Sequence, residues 1–150
     1  MEVLFIKFNY KDMLNQYLTN IFIFLNNLYN LYFNIKGEGS TTLINDIKMS
    51  IDNLNSIYRE LSFLIKKIGG YPIMNLEEIK NISTIKEISS KDYTPKDAIN
   101  LLLNDFNVIN SMNNQVGEYA IKSYDLRSIN LTIKINQYIQ DIIYSLKRNI

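Results

Sequence analysis

Residues 14–36 read LNQYLTNIFIFLNNLYNLYFNIK. Leu14, Leu18, Ile21, Leu25, Leu28, Tyr32 and Ile35 recur at alternating spacings of four and three. That spacing lays one continuous apolar stripe along a helix of about seven turns. Tyr17, Phe24 and Leu31 widen the stripe, so this helix is expected to be buried on more than one side. Lys36-Gly37-Glu38-Gly39 ends it, because glycine takes the left-handed cap conformation without steric cost.

Working outward, Ser40-Thr41-Thr42 offer hydroxyls that can cap a second helix. Its stripe runs through Ile44, Ile47, Ile51, Leu54, Tyr58, Leu61, Ile65 and Ile68. Gly69-Gly70 stops it and Tyr71-Pro72 turns the chain away. Two long helices with so short a connection form an antiparallel hairpin. Residues 71–93 make a long connection, in which Asn75 and Glu78 stand at capping-box spacing for a short helix over Leu76 to Asn81. Thr94-Pro95-Lys96-Asp97 is a helix start: a capping hydroxyl, proline at the first position and an acid in the first turn. Ile99, Leu102, Phe106, Ile109, Val116 and Ala120 carry that helix's stripe. A last helix starts near Asp125 or Ser128, carries Leu131, Ile135, Tyr138, Ile142 and Leu146, and ends on Lys147-Arg148. No strand-like alternation competes. The expected fold is an all-α four-helix bundle, one domain over residues 1–150, with a short extra helix between the second and third long ones.

Composition narrows the chemistry. An apolar fraction of 47% is enough for one sizeable core. Sixteen Lys and Arg against fifteen Asp and Glu leave a net charge of +1, too small for a protein built mainly to grip nucleic acid. The chain contains neither Cys nor His. Disulfides, thiolate nucleophiles, Ser-His triads and every His-containing metal motif are thereby excluded. Carboxylate, Lys or Tyr chemistry remains. The 25 Ile and 21 Asn read as the compositional bias of an AT-rich genome, which argues against taking Asn positions as selected ligands. The apolar run Ile21 to Leu25 is broken by Asn26 and Asn27, far short of the ~20 residues of a membrane span. No signal-peptide pattern opens the chain, so a cytoplasmic location is expected.

Tyr32-Phe33-Asn34-Ile35-Lys36-Gly37 resembles the Tyr/His-Trp-Asn-Val-x-Gly signature that ends the first helix of Dps proteins, the miniferritins that protect DNA during starvation. Ile68-Gly69-Gly70-Tyr71-Pro72-Ile73, followed by Leu76 and by Ser83-Thr84-Ile85-Lys86-Glu87, is similar to that family's Leu-Gly-Gly-x-Pro-Leu and Ser-x-Ile-x-Glu region. The last helix follows the family pattern, with Tyr144 where an aromatic is usual. The resemblance implies a ferritin-like bundle and assembly into a homododecamer.

It also implies an iron site built between two subunits from two His and three carboxylates. Carried over by position, the two His fall on Tyr32 and Ile44, and the three carboxylates on Lys48, Arg59 and Phe63. All five are non-ligands and two are cations, so the family's ferroxidase centre is expected to be degenerate, with no metal or cofactor bound and no enzyme activity. Ile44 and Phe63 would turn a polar cleft into apolar surface, which at roughly 25 cal/mol per Å² favours association. Asp52 and Glu60 lie on the same helix as weak carboxylate sites. One such group beside Arg59 reads better as an ion pair, because hard cations need several converging oxygens. Asp125 stands where the resemblance places an acidic threefold pore, with Asn130 where an Asp is usual. Asp125 serves equally as a helix cap, and the cap is preferred.

DNA is a weakly supported partner: the basic residues are Lys7 and Lys11 ahead of the first stripe, Lys66-Lys67, and Lys147-Arg148. The eleven Tyr sit mostly on apolar stripes, where packing rather than radical or stacking chemistry explains them. The leading expectation is a Dps-like cage protein with a structural, protective or DNA-associated role. One alternative is iron storage on inner-surface carboxylates such as Asp46, Asp52, Glu60 and Asp105. Another is a bundle that serves as an interaction module without forming a cage.

Overall fold

In a computed structural model, the backbone is described for residues 2–149 and side chains for residues 10–149. Lys7 therefore lies outside the described side chains. The elements are α1 (Glu2–Asn34), α2 (Ser40–Lys67), α3 (Leu76–Ile82), α4 (Pro95–Lys122) and α5 (Leu126–Arg148). α1 begins well before the apolar stripe that marks it in the sequence. Four long helices pack as two hairpins, α1 against α2 and α4 against α5, with α1 also on α4 and α2 on α5. Tyr17, Phe24 and Phe106 are the largest fully buried side chains, and Phe24 meets Phe106 edge-on at 4.7 Å. None of the described helices is long and apolar enough to cross a membrane.

The helix ends follow local chemistry, with one correction. Asn75 accepts from the Glu78 amide, Thr94 from the Asp97 amide and Asp125 from the Ser128 amide, so three side chains cap α3, α4 and α5. The hydroxyls of Ser40, Thr41 and Thr42 do not cap α2. Its cap is Gly39, left-handed at φ 82°, with no side-chain hydrogen bond. The tight turn from Gly37 leaves no extended residue there from which a hydroxyl could reach back. At the far end of α2, Gly70 donates to the Ile65 carbonyl and Gly69 to that of Lys66, with Gly69 left-handed: a Schellman close. The Lys11 ammonium lies against this negative helix end. α4 closes by the same bonds, Asp125 to Ala120 and Tyr124 to Ile121, but there the left-handed residue is Tyr124 at φ 55°.

The long connection runs beside α1, held by asparagines. Asn15 takes the Ile73 amide and gives to the Tyr71 carbonyl. Asn20 Oδ1 accepts from the Thr84 and Ile85 amides at 2.8 and 2.9 Å and from Ser83 Oγ at 2.8 Å. Asn27 takes the Ile88 amide and gives to the Lys86 carbonyl, and Asn30 gives to the Ile88 and Ser89 carbonyls. Finally Tyr93 donates to the Asn34 carbonyl and accepts from the Lys36 amide. From Asn15 to Asn34 the crossover climbs roughly 28 Å at 1.5 Å per residue. It thus returns the chain to the end where α2 began, and α4 runs parallel to α2. These asparagines are structural, not a passive imprint of composition.

Candidate functional site

The five positions singled out in the sequence fall into two groups. Tyr32, half-buried at the end of α1, and Ile44, half-buried in the second turn of α2, flank the short connection between those helices. Lys48 follows one turn later and is exposed. Arg59 and Phe63 are exposed on the same helix, with Arg59 about 16 Å beyond Lys48 at 1.5 Å per residue. Spacings of four, eleven and four, from Ile44 through Lys48 and Arg59 to Phe63, keep all four on one outer side of α2. One subunit therefore does not gather the five positions.

The surface around them is aromatic. Phe33 is 73% exposed near the α1–α2 connection, where Tyr29 and Met49 are also exposed, and Phe63 is 65% exposed about 21 Å beyond Met49 along α2. Tyr29 stacks on Phe33 at 6.5 Å and Tyr32 meets Phe33 edge-on at 5.1 Å. Two exposed cations, Lys48 and Arg59, punctuate this face, with the exposed Asp52 between them. Tyr29 was not singled out by sequence reasoning, although its place three and four residues from Tyr32 and Phe33 could have marked it.

The carboxylates are dispersed. Asp46 accepts from Ser145 Oγ at 2.9 Å and joins α2 to α5. Glu60 pairs not with Arg59 but with Lys134 of α5 at 3.7 Å, beside a groove that Arg127 and Asn130 also line. Neighbouring residues on a helix point about 100° apart, so Arg59 and Glu60 face different partners. Asp105 on α4 accepts from Asn27 Nδ2 at 3.3 Å, and burial pushes its carboxyl up to about 6 despite that bond. Asp125 caps α5 and takes a second bond from Ser128 Oγ at 2.6 Å. Among the described residues no three Asp or Glu side chains converge on a point where a metal could sit.

The basic pairs do not merge into one patch. Ser145 lies against Asp46 near the start of α2, so Lys147-Arg148 belong to that end of the bundle. Lys66-Lys67 close the other end of the same helix, roughly 30 Å away. Arg148 lies over the Tyr144 ring at 5.9 Å and Lys66 over Tyr71 at 4.5 Å, so each has a local aromatic partner.

Comparison with known proteins gives a consistent placement. The family described as ferritin-like domain matches residues 11–150. No curated protein matches the sequence. Among solved structures, Dps from Bacillus brevis superposes with a TM-score of 0.87 at 19% identity, over 95% of each chain. Dps from Staphylococcus aureus gives 0.84 at 23%, over 93% of each. Dps from Vibrio cholerae, described as a member of a broad superfamily of ferritin-like diiron-carboxylate proteins, gives 0.88 at 17%, over 95% of this chain and 89% of that one. Identities this low speak for the fold.

Proposed function

This chain belongs to the ferritin-like domain family with the fold of Dps proteins, and we propose that it is a single-domain, Dps-like shell subunit that lacks a ferroxidase centre. The observation that carries this reading is the content of the α1–α2 face. Where an intersubunit iron site would draw its ligands, the side chains are Tyr32, Ile44, Lys48, Arg59 and Phe63. Four of them offer no donor atom for iron, Tyr32 offers a single phenol oxygen in place of an imidazole, and the two cations repel a divalent ion at close range.

Self-association is supported by two separate apolar patches, one of Tyr29 and Phe33 at the end of α1 and the other at the α4–α5 turn with Ile121, Tyr124 and Leu126, and by Phe63, exposed roughly 30 Å farther along α2. A closed shell built from one subunit needs more than one kind of self-contact, and two patches provide for that. A homododecamer in the cytoplasm, with a structural, protective or DNA-associated role, is the form we propose. The distance between the basic pairs favours protection by the shell itself over a single DNA-gripping surface.

Iron storage on inner carboxylates draws less support, because Asp46, Glu60 and Asp105 are each engaged by Ser145, Lys134 and Asn27. The test is iron oxidation: Fe(II) mixed with peroxide or oxygen in the presence of purified protein is expected to oxidise no faster than in a protein-free control. A protein-dependent acceleration contradicts the reading.

A further inference from the structure

At the end of the bundle remote from the α1–α2 connection, Tyr10 of α1 and Tyr119 of α4 lie face to face. Their ring centroids are 3.8 Å apart and their planes 16° from parallel. This is van der Waals contact between two π systems. The Tyr10 hydroxyl donates to Ser128 Oγ at 3.2 Å, and Ser128 Oγ donates to the Asp125 carboxylate at 2.6 Å. Other bonded phenols end differently: buried Tyr17 on the Asn113 amide oxygen, half-buried Tyr58 on Met74 sulfur, buried Tyr93 on the Ser89 carbonyl. Among the described tyrosines with a bonded hydroxyl, only Tyr10 is connected to a base. A cleft of about 430 Å³ opens beside the pair, lined by Tyr10, Lys11, Ile68, Tyr119, Ser123 and Asp125.

We propose that Tyr10 and Tyr119 form an oxidation site, at which a diffusible one-electron oxidant couples the two rings into an intrachain dityrosine cross-link between α1 and α4. Burial raises the Tyr10 phenol, so it does not ionise beforehand and its proton must leave with the electron. The hydrogen-bond chain supplies the route: the phenolic proton passes to Ser128 as the Ser128 proton passes to Asp125. Tyr119 loses its electron to a second equivalent of oxidant and its proton to water. Spin density on a phenoxyl radical lies on oxygen and on the ring carbons ortho and para to it. The para carbon bears the backbone, so a carbon–carbon bond forms between ortho carbons. Facing π lobes are the geometry in which that bond can close. The two ring hydrogens then shift to oxygen and restore both phenols. Two oxidant equivalents are reduced, two electrons and two protons leave, and the chain is lighter by two hydrogens. Other stacked or exposed tyrosines lack either the facing partner or the base.

The full-length protein is illuminated with tris(bipyridyl)ruthenium(II) and persulfate, which generates ruthenium(III) as the oxidant. Dityrosine fluorescence is read in the single-chain band after denaturing electrophoresis, and peptides are mapped by mass spectrometry. The expected product joins the peptides containing Tyr10 and Tyr119. Tyr119→Phe and Tyr10→Phe, which keep ring and stack, are each expected to abolish it. Asp125→Asn keeps an equally good helix cap but removes the base, and is expected to lower the yield several-fold. Single-chain fluorescence that persists in Tyr119→Phe, or products dominated by links through exposed Tyr124 or Tyr144, overturns the site. An undiminished yield in Asp125→Asn overturns the proton route.

Discussion

Asn27 Nδ2 and Asp105 Oδ2 meet at 3.3 Å, tying α1 to α4 at the level where the crossover passes over both. The same Asn27 amide nitrogen gives to the Lys86 carbonyl, and its oxygen takes the Ile88 amide. One neutral side chain thus coordinates two helices and a loop, and it leaves Asp105 a half-buried carboxylate with a weak, uncharged partner.

That arrangement sets a pH dependence. The folded protein holds the Asp105 proton up to about pH 6, whereas the unfolded chain releases it near 3.8. Between those values the native state binds more protons, so stability falls as pH rises through the window and stays lower above it. Asp105→Asn, which keeps an acceptor for Asn27, is expected to raise the melting temperature at pH 8 and to change it little at pH 3.5. An equal shift at both pH values, or a loss at pH 8, contradicts this account of Asp105.

Asn20 carries the crossover more than any other residue. Replacing it with Ala leaves the amides of Thr84 and Ile85 without their acceptor and opens a void at a fully buried position. The expected loss is about 2–4 kcal/mol, the cost of orphaned buried donors plus a small cavity. Hydrogen exchange should show it first at Thr84 and Ile85. Protection there equal to wild type would remove Asn20 from this role.

Tyr124 occupies a position where glycine is at ease. With φ at 55° and its side chain almost wholly exposed, it has little packing to lose. Tyr124→Gly is expected to stabilise the isolated subunit by about 1 kcal/mol, measured by denaturant unfolding. If the residue also lies in a self-contact, the same change weakens assembly, so the two readouts should move in opposite directions.

Phe63 tests the α1–α2 face directly. Phe63→Arg puts a further cation on an exposed site one turn from Arg59, so the fold is expected to survive with little change in melting of the secondary structure. Assembly is expected to fall to monomers or small oligomers by light scattering, because a buried unpaired cation beside Arg59 at an interface costs several kcal/mol. Unchanged assembly would show that this face is not where copies meet.

Much of this was legible in the sequence. The stripes from Leu14 to Ile35 and from Ile99 to Ala120 are buried nearly residue for residue, because a long helix repeats its signal every turn. α2 was read less fully: Leu43, Ile57 and Leu64 are buried beside the expected stripe, since α2 packs on α1, α5 and part of α4 and buries a wider arc. The asparagine ladder was not legible. Its partners are mostly backbone groups of residues 71–89, and a side chain that serves a distant backbone leaves no spacing pattern. For the same reason the pairing of Glu60 with Lys134, the burial of Asp105 and the chain from Tyr10 to Asp125 emerge only in three dimensions. The positions Tyr32, Ile44, Lys48, Arg59 and Phe63 are marked by the family resemblance alone, with Gly37 and Gly69-Gly70 fixing its register on the two helices.

Native mass spectrometry, before and after incubation with Fe(II) and oxygen, tests the central proposal most directly, since one spectrum reports both assembly and metal uptake. The expected spectrum shows a closed homo-oligomer, twelve copies by family resemblance, whose mass does not change with iron. A monomer or dimer as the largest species, or an assembly that gains iron mass, would contradict a shell without a ferroxidase centre.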